Sequence, residues 1–222
     1  MAVEIFQTEV GLLGNFNELI ADAATRKCAV VDPAYEVDRL LSEARARNWQ
    51  IEAILITHTH HDHIEGAEEM ARATGATLYV GAGEADAAMA AVPSAKLVAL
   101  SGGETIALGE TSIETLATPG HTLAGTSYLI GGAVVTGDTL FVGGVGRTDF
   151  PGGSPQILWQ SLQKLAALPE ETRVYPGHDY GQSPTSTIGW ERLHNPYLLC
   201  QSETEFVALR TGKNAPRPLR RG

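Results

Sequence analysis

The stretch Thr57-His58-Thr59-His60-His61-Asp62-His63 places four imidazoles and a carboxylate within six consecutive residues. It follows directly on the apolar run Ala53-Ile54-Leu55-Ile56. Ile51 to Thr57 is nearly continuous in apolar residues, as expected of a strand covered on both faces. A strand that stops there carries the cluster to a sheet edge. On an extended chain His58, His60 and Asp62 point the same way, and His63 joins them once the chain turns towards a helix. Nitrogen and oxygen donors at this density suit zinc or iron(II). Taken alone, the run also fits a solvated histidine-rich tract.

Three later features weigh against the solvated tract. Thr118-Pro119-Gly120-His121 puts a histidine on a Pro-Gly turn. Thr136-Gly137-Asp138 ends the hydrophobic run Ala133-Val134-Val135 with a carboxylate, and Tyr175-Pro176-Gly177-His178 repeats the turn-histidine pattern. Each puts a ligand-type side chain just past a strand, where loops gather and sites are built. The donors divide into two sets. His58, His60 and His121 make one, and Asp62, His63 and His178 make the other. Asp138 is the natural bridge. Each ion keeps an open position for water, the mark of a catalytic site. A hydroxide shared by two metals is a strong nucleophile at neutral pH, and no Gly-x-Ser-x-Gly elbow is present to suggest an acylating serine.

Thr57-His58-x-His60-x-Asp62-His63, with His121, Asp138 and His178, resembles the metallo-β-lactamase superfamily. Gly137-Asp138-Thr139-Leu140-Phe141, Gly144-Val145-Gly146-Arg147-Thr148-Asp149-Phe150 and Gly177-His178-Asp179-Tyr180 narrow the resemblance to the glyoxalase II (hydroxyacylglutathione hydrolase) and persulfide dioxygenase branch. It spans roughly Val10 to Val207. The resemblance implies an α/β fold, an αββα sandwich with its metal site at one edge between the sheets. Glyoxalase II implies all seven ligands, with Asp62 and Asp138 also orienting the nucleophile, and two divalent ions, zinc first, with iron or manganese as substitutes. Its reaction is hydrolysis of thioesters such as S-lactoylglutathione. A persulfide dioxygenase implies one Fe(II) on His58, His121 and Asp138, oxidising glutathione persulfide to sulfite. Pro176 to Leu199 is closer to the dioxygenases, and no room remains for the long basic helical tail of glyoxalase II. His61 and Val145 stand where the dioxygenases carry a small residue and a cysteine. The thioesterase is the first expectation and the dioxygenase the alternative.

The same resemblance makes Arg147 and Tyr180 the candidate substrate contacts, since a forked guanidinium suits carboxylates. Arg147 equally suits an ion pair with Asp149, and Tyr180 an aromatic packed at the sheet edge. Asp32 is either an acceptor for a ligand histidine or a strand-end cap. Thr57 is expected to hold the loop and Asp179 to be a local acceptor. His194 and the three tryptophans, Trp49, Trp159 and Trp190, are expected to play no part in the site.

Outward from the cluster, the first third reads strand, strand, helix, strand. Cys28 to Asp32 is a β-rich run and Val37 to Asn48 an amphipathic helix. Glu65 to Thr74 is helical with Gly75 as its stop. Ala76 to Val80 is a strand, and Glu84 to Ala91 a short helix. The middle changes to short strands at 104–108, 112–116, 126–130 and 133–136, with Gly131-Gly132 as a hairpin signal. Pro155 to Leu168 is helical, Arg173 to Tyr175 a strand, and Ser186 to Leu199 helical with a break at Pro196.

The 222 residues are 43% apolar and 19% charged, enough to bury a core. One domain is expected over 1–209 and a basic tail over 210–222. Five basic residues (Arg210, Lys213, Arg217, Arg220, Arg221) and no acids lie from Arg210 onward, which leaves 11 basic against 26 acidic before it. A body so acidic argues against nucleic acid. The tail reads as a solvated terminus or as an anchor for an anionic substrate. No run of 18 apolar residues predicts a membrane span, and Met1 to Gly11 lacks the basic start of a signal peptide. Cys28 and Cys200 stand far apart, outside any CxxC pair, which suits a reducing cytosol, and Cys28 reads as core. The expected partner is a small thiol-derived substrate, a glutathione conjugate, with no membrane and room for a homodimer.

Overall fold

The computed structural model describes residues 3–212 and 215–216. Its first sheet takes β1 (Val3–Val10), β2 (Asn15–Asp22), β3 (Lys27–Val31), β4 (Gln50–Leu55), β5 (Thr77–Gly81) and β6 (Leu97–Leu100) in sequence order. The first three strands are antiparallel neighbours, and β3 to β6 run parallel. Parallel pairs need crossovers. These are α1 (Val37–Ala46), the pair α2 (His61–Ile64) and α3 (Ala67–Thr74), and α4 (Ala85–Ala91).

The second sheet is built from β7 (Thr105–Leu108), β8 (Thr111–Ala117), β9 (Thr126–Ile130) and β10 (Ala133–Gly137), antiparallel in turn. A small ribbon, β11 (Leu140–Phe141) with β12 (Gly144–Val145), and α5 (Pro155–Ala166) follow. Then β13 (Arg173–Pro176) returns parallel to β10, and β14 (Ser186–Thr187) forms the edge. Helices α6 (Ile188–His194) and α7 (Glu203–Thr211) close the chain.

Strand periodicity builds the layers. Successive side chains point to opposite faces, so neighbours on one strand enter different cores. Leu19, Val30 and Ile54 pack with Leu40 and Met70 of α1 and α3. Their neighbours Ile20, Val31 and Leu55 pack with Leu108, Ile113, Tyr128 and Val135 of the facing sheet. Val134 and Val174 turn away, towards Leu158, Leu162 and Phe206 of α5 and α7. The order is helices, sheet, sheet, helices, the αββα sandwich. Each fully buried Leu or Ile contributes roughly 2 kcal/mol. Tyr128 ties the sheets by donating its hydroxyl to the Ile56 carbonyl at 2.8 Å.

Local signals act as chemistry requires. Ile130 pairs with Ala133 across Gly131 and Gly132, both at positive φ (58° and 79°), the two-residue turn only glycine-type residues enter easily. Ser154 caps α5 by accepting from Ile157 N at 3.3 Å, with Pro155 in the first turn. Cys28 and Cys200 are both buried and free, and burial pushes the Cys28 thiol up to about 12, the behaviour of a core residue.

Some elements escape the hydrophobic pattern. Three strands, not two, precede α1. One of them is β2, buried along its whole length yet carrying Asn15, Asn17, Glu18 and Asp22. The expected helix from Glu65 is preceded by a separate turn at His61–Ile64 and starts at Ala67. Strand β6, the ribbon and α7 are additions. Helix α7 runs to Thr211 and so includes Arg210. Lys213, Arg217, Arg220 and Arg221 lie outside the described residues. No helix among the described residues is long and apolar enough to cross a membrane.

Glu18 is 1% exposed in β2, and burial, then the Asp32 charge, push its carboxyl up to about 8, against the Gln7 hydrogen bond and the His63 charge. It therefore stays protonated in the folded chain while the unfolded chain ionises near 4.5, so stability falls as pH rises between those values. Wild type is expected to lose up to about 4 kcal/mol from this group between pH 5 and 8, at roughly 1.4 kcal/mol per unit. Glu18→Gln keeps the Gln7 contact at 3.1 Å and removes the slope. Urea unfolding of both proteins in chelator, at pH 5 and pH 8, checks this. A difference between them that does not grow with pH contradicts it.

Candidate metal centre

Five strands deliver the site to one edge. β3 and β4 are parallel, as are β10 and β13, so their carboxyl ends coincide. β8 runs antiparallel to β9, and β9 to β10, which brings the end of β8 to the same edge. Asp32, His58 to His63, His121, Asp138 and His178 follow those ends. Crevices beyond the carboxyl ends of strands are where α/β sheets place their sites.

The first set gathers His58, His60 and His121, and the second Asp62, His63 and His178, each with donor atoms within 4.8 Å of one another. His121 Nε2 lies 3.1 Å from His60 Nδ1, and His63 Nε2 lies 3.2 Å from His178 Nε2. Two nitrogens on a tetrahedral ion at ordinary zinc distances sit about 3.3 Å apart. Asp138 stands between the sets. Its Oδ2 is 3.5 Å from His121 Nε2, while its Oδ1 is 3.4 Å from His63 Nε2 and 3.5 Å from His178 Nε2. Asp62 Oδ2 lies 3.4 Å from His178 Nε2.

The outer nitrogens set the tautomers. His63 Nδ1 donates to Asp32 Oδ2 at 2.9 Å, His121 Nδ1 to the Arg147 carbonyl at 2.6 Å, and His178 Nδ1 to the Leu13 carbonyl at 3.2 Å. His58 Nδ1 meets Thr57 Oγ1 at 3.0 Å, and that hydroxyl gives its own proton to Asp32 Oδ2 at 2.6 Å. With the proton fixed outside, each ring in its neutral form turns a bare Nε2 inward. Lone pairs facing one another at this range repel unless a cation or proton lies between them. His58 Nε2 and Asp138 Oδ1 are buried with no hydrogen-bond partner among the described residues. Buried polar atoms are normally satisfied, so these two are groups for which a metal ion would supply the missing contact. The donor set fits divalent zinc, iron or manganese.

The electrostatics agree. Burial, then the charge on His63, holds the His58 ring well below its usual range, and burial with His121 lowers His60. Burial works against charge on His63 too, but Asp138 and Asp32 outweigh it and raise the ring to about 9. Burial likewise opposes the Asp138 charge, yet His178, His63 and His121 hold its carboxyl well below the carboxylate range. The centre is built to keep one anion among imidazoles.

Asp32 serves both of its expected roles: it accepts from His63 and also from Thr57 N at 2.7 Å. Thr57 holds the loop as expected. Its carbonyl also accepts from Thr126 N at 2.8 Å, a link between sheets. Asn15, not singled out in the sequence, donates to the Asp62 carbonyl at 2.8 Å and to Asp62 Oδ2 at 3.1 Å. Only a polar residue interrupting β2 could have signalled it. His61 turns outward to Glu65 at 2.8 Å, and exposed His194 stacks on Trp190, away from the centre. Trp49 is buried in the first core and Trp159 packs on Phe206.

A cavity of about 1070 Å³ opens over the centre. Its wall includes Leu13, Phe141, Phe150, Arg147 and Tyr180. Arg147 makes the ion pair with Asp149, at 2.9 and 2.7 Å, while its guanidinium covers Phe150 at 4.5 Å and still borders the cavity. Tyr180 stacks on His178, centroids 4.5 Å apart, and meets Phe141 edge-on. Arg210 also reaches the wall, donating Nε to the Gly146 carbonyl at 2.9 Å.

Residues 19–178 match the metallo-beta-lactamase superfamily. The chain is 40% identical over 170 residues to the hydroxyacylglutathione hydrolase of Pseudomonas entomophila, covering 75% of this chain and 62% of that one. It is 33% identical over 201 residues to the probable polyketide biosynthesis zinc-dependent hydrolase BaeB of Bacillus velezensis, covering 90% and 88%. Among solved structures, ETHE1 from Myxococcus xanthus superposes with a TM-score of 0.87 at 36% identity, covering 97% of this chain and 93% of that one. The chain spans about half the length of the beta-lactamase hydrolase-like proteins that it also matches.

Proposed function

The chain belongs to the metallo-beta-lactamase superfamily, in the branch that holds glyoxalase II and the persulfide dioxygenases, and from that premise we propose that it is a two-metal thioesterase acting on S-acylglutathione-type substrates. The observation that carries this reading is the division of Asp138, one oxygen towards each set of ligands. His58, His60 and His121 would hold one ion, and Asp62, His63 and His178 the other, with Asp138 shared. Zinc is the first choice, in line with the name of the Bacillus relative. Such ions, when bound, bring the pKa of water towards neutrality and polarise a carbonyl oxygen.

The chain itself aims the reaction. Asp62, held by Asn15, and Asp138 accept hydrogen bonds from the attacking water and direct it at the thioester carbon. Water adds, the carbon–sulfur bond breaks, and an acid and a thiol leave, the thiol taking a proton from the water. Phe141 and Phe150 keep the cavity wall apolar, which strengthens the charged contacts inside. Arg147, oriented by Asp149, and Tyr180 border the space open to the glutathione portion, where a forked cation suits a carboxylate.

A second reading, a one-iron persulfide dioxygenase on His58, His121 and Asp138, is favoured by length: the chain covers 93% of the ETHE1 chain but 62% of the Pseudomonas hydrolase. Elemental analysis of the purified protein, with S-lactoylglutathione hydrolysis and an oxygen electrode trace on glutathione persulfide, separates the two. We expect two ions per chain, thioester cleavage and no oxygen uptake. One iron with oxygen consumption overturns the thioesterase.

A further inference from the structure

We propose that Glu84 is a positioning residue that holds the His60 and His121 side of the centre in register for an ion. The inference rests on the metal-binding reading above. Glu84 stands between β5 and α4, on a segment that carries no candidate ligand, and it is 7% exposed. Its two oxygens serve two different loops. Oε2 accepts from Thr59 N at 2.6 Å and from Thr59 Oγ1 at 2.7 Å. Oε1 accepts from Thr122 Oγ1 at 2.5 Å and from Ala124 N at 3.1 Å. Thr59 lies between His58 and His60, and Thr122 directly follows His121. One carboxylate therefore splints the loop of the first two ligands to the loop of the third.

The approach is built into the backbone. A Cβ at Gly81 would stand 2.0 Å from the Ala124 carbonyl oxygen, so only glycine lets the end of β5 abut the loop beyond His121. A buried carboxylate is costly unless hydrogen-bonded, and here four donors from the two loops meet its charge. Removing it would leave those donors unpaired where the loops meet.

The effect falls on one side of the centre. His58, His63, His121 and His178 each have the nitrogen away from the centre held by a neighbour. Among the described residues, His60 Nε2 has no such bond. The direction of the His60 ring then depends on its backbone, which Glu84 fixes through Thr59 N. The other set is held from elsewhere: Asp62 by Asn15, His63 by Asp32 and His178 by Leu13.

The test uses the full chain, zinc alone as the probe and a competing chromogenic chelator. Glu84→Gln is made in two backgrounds. His178→Ala leaves the His60 and His121 side, and His60→Ala leaves the other. In the first background Glu84→Gln is expected to weaken zinc tenfold or more, the scale of losing an outer hydrogen-bond partner. In the second it is expected to change affinity less than twofold. Equal weakening in both backgrounds, as from a general loosening of the fold, overturns the proposal, as does no weakening in either. Thr122→Val, which removes one of the four bonds and keeps its shape, is expected to weaken the same side severalfold, so the comparison survives poor folding of a Glu84 variant. Wild type that binds a single zinc sinks the two-ion reading instead. The Glu84 comparison then reads on that one ion: a tenfold loss sustains the proposal and an unchanged affinity ends it.

Discussion

Asp138→Ala is expected to fold and to lose thioester turnover by about 10³-fold or more, with at least one ion per chain lost. The side chain belongs to none of the three apolar cores. Its Oδ1 has no hydrogen-bond partner among the described residues although buried, and its charged neighbours are the candidate ligand histidines. Its carboxyl lies well below the usual range because those rings surround it, so the loss is concentrated in the centre and not in the cores. A carboxylate shared by two ions balances charge for both and fixes their separation. Its removal costs several kcal/mol of transition-state stabilisation, and each 1.4 kcal/mol is tenfold in rate. His58→Ala is expected to match it in rate, since His58 Nε2 is likewise buried with no partner among the described residues. Zinc content, the rate of S-lactoylglutathione hydrolysis and far-ultraviolet circular dichroism on each variant check this. A near-normal rate in either folded variant removes the carboxylate and the imidazole from the chemistry.

The convergence of these groups was readable beforehand because the signal is local: each ligand-bearing turn follows a strand, and parallel strands end together. Gly131-Gly132 and the run at Ile51 to Ile56 were readable for the same reason. What escaped reading depends on distance or on buried polarity. Strand β2 breaks any alternation by setting Asn17 beside Glu18 and Leu19, Ile20 and Ala21 in a run, so no hydrophobic period marks it, yet it supplies the support of Asp62 and the buried carboxylate of Glu18. Glu84 looks like an ordinary acid at the start of a helix until the fold brings Thr59 and Thr122 to it, 25 and 38 residues away. Arg210 reads as tail chemistry, and only the course of α7 puts it 2.9 Å from Gly146. Asp32 lies between these cases, legible as an acceptor but not as one that serves the His63 ring and the Thr57 hydroxyl facing the His58 ring at once.

That double duty makes Asp32→Asn the sharpest single-atom change available. Asp32 has φ of 45°, in the left-handed region that asparagine tolerates better than most residues, so the backbone should survive the exchange. Asn Oδ1 can still accept from Thr57 N, as Asp32 Oδ1 does at 2.7 Å. The amide nitrogen then replaces Oδ2, which now accepts from both Thr57 Oγ1 and His63 Nδ1. An amide nitrogen only donates there. His63 Nδ1 must become an acceptor, which moves the ring proton to Nε2, the atom facing the second set. Thr57 Oγ1, no longer able to donate to residue 32, turns its proton to His58 Nδ1 and drives that ring's proton to Nε2 as well. One substitution thus blocks a nitrogen in each set of ligands. The reversed amide orientation instead sets its nitrogen against the Thr57 N–H, donor to donor. Exchanging the orienting aspartate of a histidine for asparagine elsewhere costs about 10⁴ in rate through the wrong tautomer, and an effect of at least about 10³ is expected here, with zinc affinity down by more than tenfold. Long-range nitrogen–proton spectra of the imidazoles, recorded in chelator above pH 9 where His63 is neutral, report the tautomers directly. Retained zinc, retained rate and Nδ1–H tautomers on His58 and His63 would mean that packing alone aims these rings, and that Asp32 only caps its strand.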